Sequence, residues 1–305
     1  MKQYLDSLQY IMDEGIERAD RTGTGTRSVF TYQMRFNLND GFPAVTTKKL
    51  AFLSVKSELL WMIEGSGDER RLAEIRYGKP REELEDKNTI WTANAQADYW
   101  KPKAKFEGDL GRVYGVQWRK WIDNYGTQKR WNHNPMSVLN DDGSRNEYLV
   151  DQLGDVIQRI KDKPWDRRHI VTAWNPGEIG DMALPPCHMI YQFYVHGEYL
   201  CCHMFQRSCD MVLGVPFNIA SYAILTHMVA QVCDLQVGEL VLTLGDAHIY
   251  MNHYDQVKEQ LKRIPGDLPN LWLNPDVKNI DDFTMDDIRL DDYHPQEAIK
   301  AEMAV

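Results

Sequence analysis

Cys187 directly follows Pro185 and Pro186. Proline rings fix φ and push the preceding backbone towards extended geometry, so this thiol sits on a stiff, non-helical stretch. A reactive group gains from that rigidity. His188 beside it and Arg207 further on are cations that would favour the thiolate, the form that attacks carbon. Gln206, Arg207, Ser208 and Asp210 gather amide, guanidinium, hydroxyl and carboxylate within five residues. That density is costly to bury unless something binds it. Cys201, Cys202, Cys209 and Cys233 read as small buried hydrophobes instead.

The elements that must position these groups follow from periodicity. Ile190–Val195 and Tyr199–Phe205 are rich in aromatic and β-branched residues on either side of His196-Gly197, which predicts a hairpin carrying Cys187 and Gln206. Phe217–Cys233 predicts a long apolar helix, with Asn218 its polar exception. Tyr4, Leu5, Leu8, Met12 and Ile16 predict an amphipathic helix ending between Gly15 and Asp20. Arg21 then opens a Gly-Thr loop rich in backbone donors, ahead of a strand over Ser28–Leu38. Phe52–Ile63 reads as a helix with Glu58 inside it. A helix is predicted through Leu149, Leu153, Val156, Ile157 and Ile160, and Arg167-Arg168 precede a strand over Ile170–Trp174. Leu240–Leu244 reads as a strand, followed by His248 and Tyr250 alternating onto one face.

With 305 residues, 43% of them hydrophobic, the chain suffices for a substantial core. We expect a single domain over residues 1–305, with surface insertions near 78–88, which contains Pro80, and 121–147. A formal charge of −10 disfavours nucleic-acid polymers as partners, although a local arginine pocket suits a single phosphate. The first residues alternate apolar with charged positions, giving no signal peptide or membrane span. Five cysteines without framework spacing fit a reducing compartment, so a cytoplasmic protein is expected. No metal site is proposed.

The stretches LPPCH, QRSCD, VPFNIASYA and GDAHIYMNH closely resemble the thymidylate synthase signature, and the resemblance runs from Asp20 to the final Met303-Ala304-Val305. It implies an α+β fold, a bent mixed β-sheet backed by helices, with two subunits packed sheet to sheet. It implies reductive methylation of dUMP to dTMP with 5,10-methylenetetrahydrofolate, dihydrofolate being the co-product. A 5-hydroxymethylase of the same family acting on dUMP or, second to it, dCMP, and more remotely a non-catalytic nucleotide- or RNA-binding relative, are the alternatives. Under the resemblance Cys187 is the nucleophile and Glu58, in SELLW, the general acid/base, with Tyr114, His188 and Arg207 also at the catalytic centre. Asn218 would read the base, since an amide pairs a donor and an acceptor with the N3–H and O4 edge of uracil.

Arg21, Gln206, Arg207, Ser208 and Asp210 are implied substrate ligands, as are His248 and Tyr250 at the deoxyribose hydroxyl. Arg167 and Arg168 would reach across the homodimer interface to the partner's phosphate. The folate side falls to Ile90, Trp91, Asp210, Leu213, Gly214, Phe217, Ala304 and Val305. The chain departs from the family pattern in two nearby places: Thr92 stands where aspartate is usual, and Arg112 where proline is usual. Tyr293-His294-Pro295-Gln296 also departs from the usual proline-histidine-proline wording.

Overall fold

The computed structural model describes residues 1–123, 136–138 and 147–302. Ala304, Val305 and most of the insertion expected over 121–147 lie outside the described residues. Backbone contacts divide the chain into two compact units, Met1–Lys56 with Cys187–Val305, and Ser57–Pro186.

The first unit begins with α1 (Lys2–Glu14), which buries Tyr4, Leu8 and Ile11 on one face and stops at Gly15. Next come β1 (Ile16–Arg18) and β2 (Thr26–Asn37), the second starting two residues before the sequence reading. α2 (Phe52–Ile63) has the predicted bounds. The second unit continues with α3 (Glu69–Tyr77), α4 (Thr92–Ala95), α5 (Gly115–Arg119), β3 (Trp121–Asp123), β4 (Met136–Val138), β5 (Glu147–Val150), α6 (Gln152–Asp162) and β6 (Ile170–Thr172). β3, β5 and β4 form a small antiparallel sheet in that order. Leu149, predicted to be helical, lies on β5 instead. The helix begins only after Asp151, whose carboxylate accepts the Gly154 N–H and caps α6.

The chain then returns to the first unit with β7 (His188–His196), β8 (Tyr199–Asp210), α7 (Gly214–Val232), β9 (Gln236–Tyr250), α8 (Tyr254–Leu261), β10 (Asn270–Leu273) and β11 (Ile288–Asp291). Strands of this unit run in the order β1-β2-β9-β8-β7. β8 and β9 are parallel and the other pairs antiparallel, so the sheet is mixed, as expected. β7 and β8 are the predicted hairpin, turned by Gly197 at φ 59°. α7 is apolar on every side and buried along most of its length, packed on β8 and β9. It is the core around which this unit closes.

Regular pairing breaks along a line across the sheet. Thr31, at φ 71°, is skipped opposite Gly245. On the other side of Gly245 the pairing skips Arg207, and the β7–β8 register shifts between His188 and Ile190. Such interruptions bend strands and re-aim side chains, and this one runs through the residues singled out for chemistry.

Candidate active site

Cys187 lies immediately before β7 and is half-buried, whereas Cys202 and Cys209 are buried. Burial pushes the Cys202 thiol up to about 12 and raises that of Cys209 as well, so neither is a ready thiolate. The carbonyl of Cys187 accepts the backbone N–H of Arg207 at 2.8 Å. Thiol and guanidinium residues are thereby tied to each other through the backbone, although twenty positions apart in sequence.

The expected charge assistance from His188 is corrected by the structure. Its ring is buried, its Nδ1 lies 2.9 Å from the Tyr222 hydroxyl, and burial lowers its pKa to about 3. A neutral imidazole gives no Coulombic help to the thiol. Tyr222 comes from α7 and stands edge-on to both His188 and Tyr191, so His188 is held in place as part of an aromatic cluster.

Parallel pairing sets Ser208 beside Asp246 and Asp210 beside His248, while His248 and Tyr250 stack edge to face at 5.2 Å. The alternation read from the sequence does bring this pair together. Gln206 donates from its amide nitrogen to the Ser208 carbonyl at 3.0 Å. Its Oε1 is buried with no partner among the described residues, an acceptor suited to a ligand N–H. Arg21 is exposed on a loop tied by Asp20, which accepts N–H groups from Thr22 and Gly25. The Tyr250 phenol is raised by burial and then by the charges of Asp210 and Asp20, while Arg21 opposes them and Cys187 adds to them. Those residues therefore share one electrostatic neighbourhood. Asn218, in the first turns of α7, is half-buried, and its side-chain amide has no hydrogen-bond partner among the described residues.

In the second unit Glu58 is buried, and its Oε1 accepts the Trp91 indole N–H at 2.6 Å. Burial raises its pKa to about 7, against the lowering effect of that N–H. Such a carboxyl can both hold and release a proton near neutrality. Trp91 is itself buried between Trp61 and Tyr114, with ring centroids at 6.0 and 5.7 Å, whereas Ile90 beside it is half exposed. Tyr114 has φ 26°, a strained backbone for a residue with a side chain. The adjacent Gly115 has no room for a Cβ, which would come 2.2 Å from the Met62 carbonyl oxygen. Arg167 and Arg168 are exposed, and Arg168 pairs with Asp166 at 2.8 Å.

Sequence reasoning missed Tyr222, the partner of His188, and Glu69, a buried carboxylate. Tyr222 is hidden in an apolar run, and Glu69 in the charged run Asp68-Glu69-Arg70-Arg71 that reads as solvated; only tertiary contacts distinguish them.

One unit thus holds a half-buried thiol residue joined through the backbone to an arginine residue, together with a side-chain amide that has no partner among the described residues. The chain belongs to the thymidylate synthase family, whose sequence model matches residues 2–305. Members are transferases of dTMP biosynthesis that use 5,10-methylenetetrahydrofolate as co-substrate. The first unit's residues fit a flat heterocycle bearing N–H donors. Asp210 spends Oδ1 on the N–H groups of Val212 and Leu213, leaving Oδ2 as an acceptor, and Leu213, Gly214 and Phe217 nearby in sequence are half-buried. Among the described residues no helix is long and apolar enough to cross a membrane.

Proposed function

We propose that this chain is a thymidylate synthase, converting dUMP to dTMP in the cytoplasm as a homodimer. The observation that carries the reading is the 2.8 Å backbone bond between Cys187 and Arg207, which couples a nucleophile to a phosphate-class cation. Cys187 Sγ adds to C6 of the uracil ring, and the sulfur leaves again when the methylated base is released. Asn218 orients the base through its N3–H and O4 edge and stabilises charge developing at O4. Glu58 holds and returns protons, and Tyr114 takes part in removing the proton at C5. His188, neutral and held by Tyr222, is a positioning residue.

Arg21, Arg207 and Ser208 bind the phosphate, Gln206 and Asp210 support the nucleotide, and His248 and Tyr250 take the deoxyribose hydroxyl. The folate roles that the family resemblance implies fall to Ile90, Trp91, Asp210, Leu213, Gly214, Phe217, Ala304 and Val305. The folate supplies the one-carbon unit and the hydride, while these residues orient it and exclude water.

The dimer reading is supported by two exposed aromatics on strands of the sheet, Phe30 at 87% and Tyr194 at 62%. Each subunit lends Arg167 and Arg168 to its partner's phosphate. Cys187→Ala and Arg167→Ala proteins are therefore expected to be nearly inactive alone. Mixed in equal amounts and allowed to exchange, they regain up to about a quarter of wild-type activity, because one site of each heterodimer has both intact residues. Exchange demonstrated by mass-tagged subunits, without recovery, would contradict the shared site.

A further inference from the structure

Thr92, one of the chain's departures from its family pattern, sits in a buried network whose centre is Glu69. This glutamate opens α3 and is 1% exposed, yet its carboxylate is fully engaged. Arg70 clamps it with two bonds of 2.6 Å, Nε to Oε2 and Nη2 to Oε1. The hydroxyls of Thr89 and Thr92 each donate to Oε1, also at 2.6 Å. Arg70 is anchored in turn by the carbonyls of Leu84 and Lys87.

Each threonine hydroxyl gives its proton to Glu69 and offers its oxygen to the backbone of one short turn. Thr89 Oγ1 accepts the Trp91 N–H at 3.1 Å, and Thr92 Oγ1 accepts the Thr89 N–H at 2.8 Å. The turn so closed carries Trp91, whose indole N–H meets Glu58 at 2.6 Å. Only an ionised carboxylate can accept all four donors. An amide at the same position would turn an NH₂ towards either the guanidinium or the hydroxyls.

We infer that Glu69 is a positioning residue which, through Thr89 and Thr92, fixes the turn that holds the Trp91 indole against Glu58. The inference rests on the reading of Glu58 as the proton-handling carboxyl. Burial and the Trp91 N–H are the influences acting on Glu58. Loosening the turn removes the donor that favours the carboxylate, so Glu58 stays protonated to higher pH.

The test is a carbon-13 NMR titration of glutamate side-chain carboxyls in the unliganded full chain, with Glu58→Gln identifying the Glu58 resonance. Glu69→Gln and, as a gentler break, Thr92→Val are expected to move its midpoint upward by roughly one pH unit, whereas Thr92→Ser, which keeps the hydroxyl, leaves it unmoved. A merely structural role would lower the melting temperature without moving that midpoint. An unmoved midpoint in folded Glu69→Gln or Thr92→Val protein overturns the inference alone. If instead Glu58→Gln removes no resonance titrating near neutrality, the Glu58 reading fails and takes the inference with it.

Discussion

Asn218 carries substrate choice in this account, because its amide is unpartnered among the described residues and sits at the start of a buried helix that cannot easily move it. Replacing it with aspartate exchanges the amide for a carboxyl that, when protonated, presents the donor and acceptor order suited to cytosine. Asn218→Asp is expected to lose at least tenfold in kcat/KM for dUMP, a change of about 1.4 kcal/mol, and to gain measurable turnover of dCMP. Unchanged preference in steady-state kinetics with both nucleotides would remove Asn218 from base reading. At this scale the sequence was informative where spacing sufficed, as for the alternating pair His248 and Tyr250. It misled where sequence neighbours are not spatial partners. His188 adjoins Cys187 in the chain, but its ring belongs to Tyr222, thirty-four residues on.

The hairpin and α7 were readable as elements because their periods are plain: alternation along β7 and β8, and an unbroken apolar run along α7. β9 was read in two pieces, since Gly245 interrupts the apolar pattern; the structure shows one strand over Gln236–Tyr250. Gly245 is there for closeness. A Cβ at this position would lie 3.0 Å from the Arg207 carbonyl oxygen and 3.2 Å from its Cα, on a central strand where the backbone has little freedom to yield. Gly245→Ala should therefore destabilise the fold by about 1–3 kcal/mol, and it should raise KM for dUMP by displacing Arg207. Differential scanning calorimetry and initial rates would check both parts, and unchanged melting with unchanged KM would show that the sheet accommodates the methyl group. The Leu149 misassignment has the opposite origin: its apolar side chain continued the helical spacing of α6, but Asp151 caps the helix after it.

Over the whole molecule, the mixed sheet and the surrounding helices agree with the fold expected from the family, which the match over residues 2–305 now shows. The roles of Thr92 and Arg112 could not be read beforehand, because each depends on long-range partners. Thr92 meets Glu69, and Arg112 meets Glu178 at 2.6 Å. Both departures are thus accommodated by hydrogen bonds within the second unit. The central claim is reductive methylation, and its most direct test is one reaction of purified protein with dUMP and 5,10-methylenetetrahydrofolate. The nucleotide product is weighed by mass spectrometry while dihydrofolate absorbance is followed. We predict a methyl group at C5 and dihydrofolate in equal amount; 5-hydroxymethyl-dUMP formed with tetrahydrofolate and no absorbance change would contradict the account at its last chemical step.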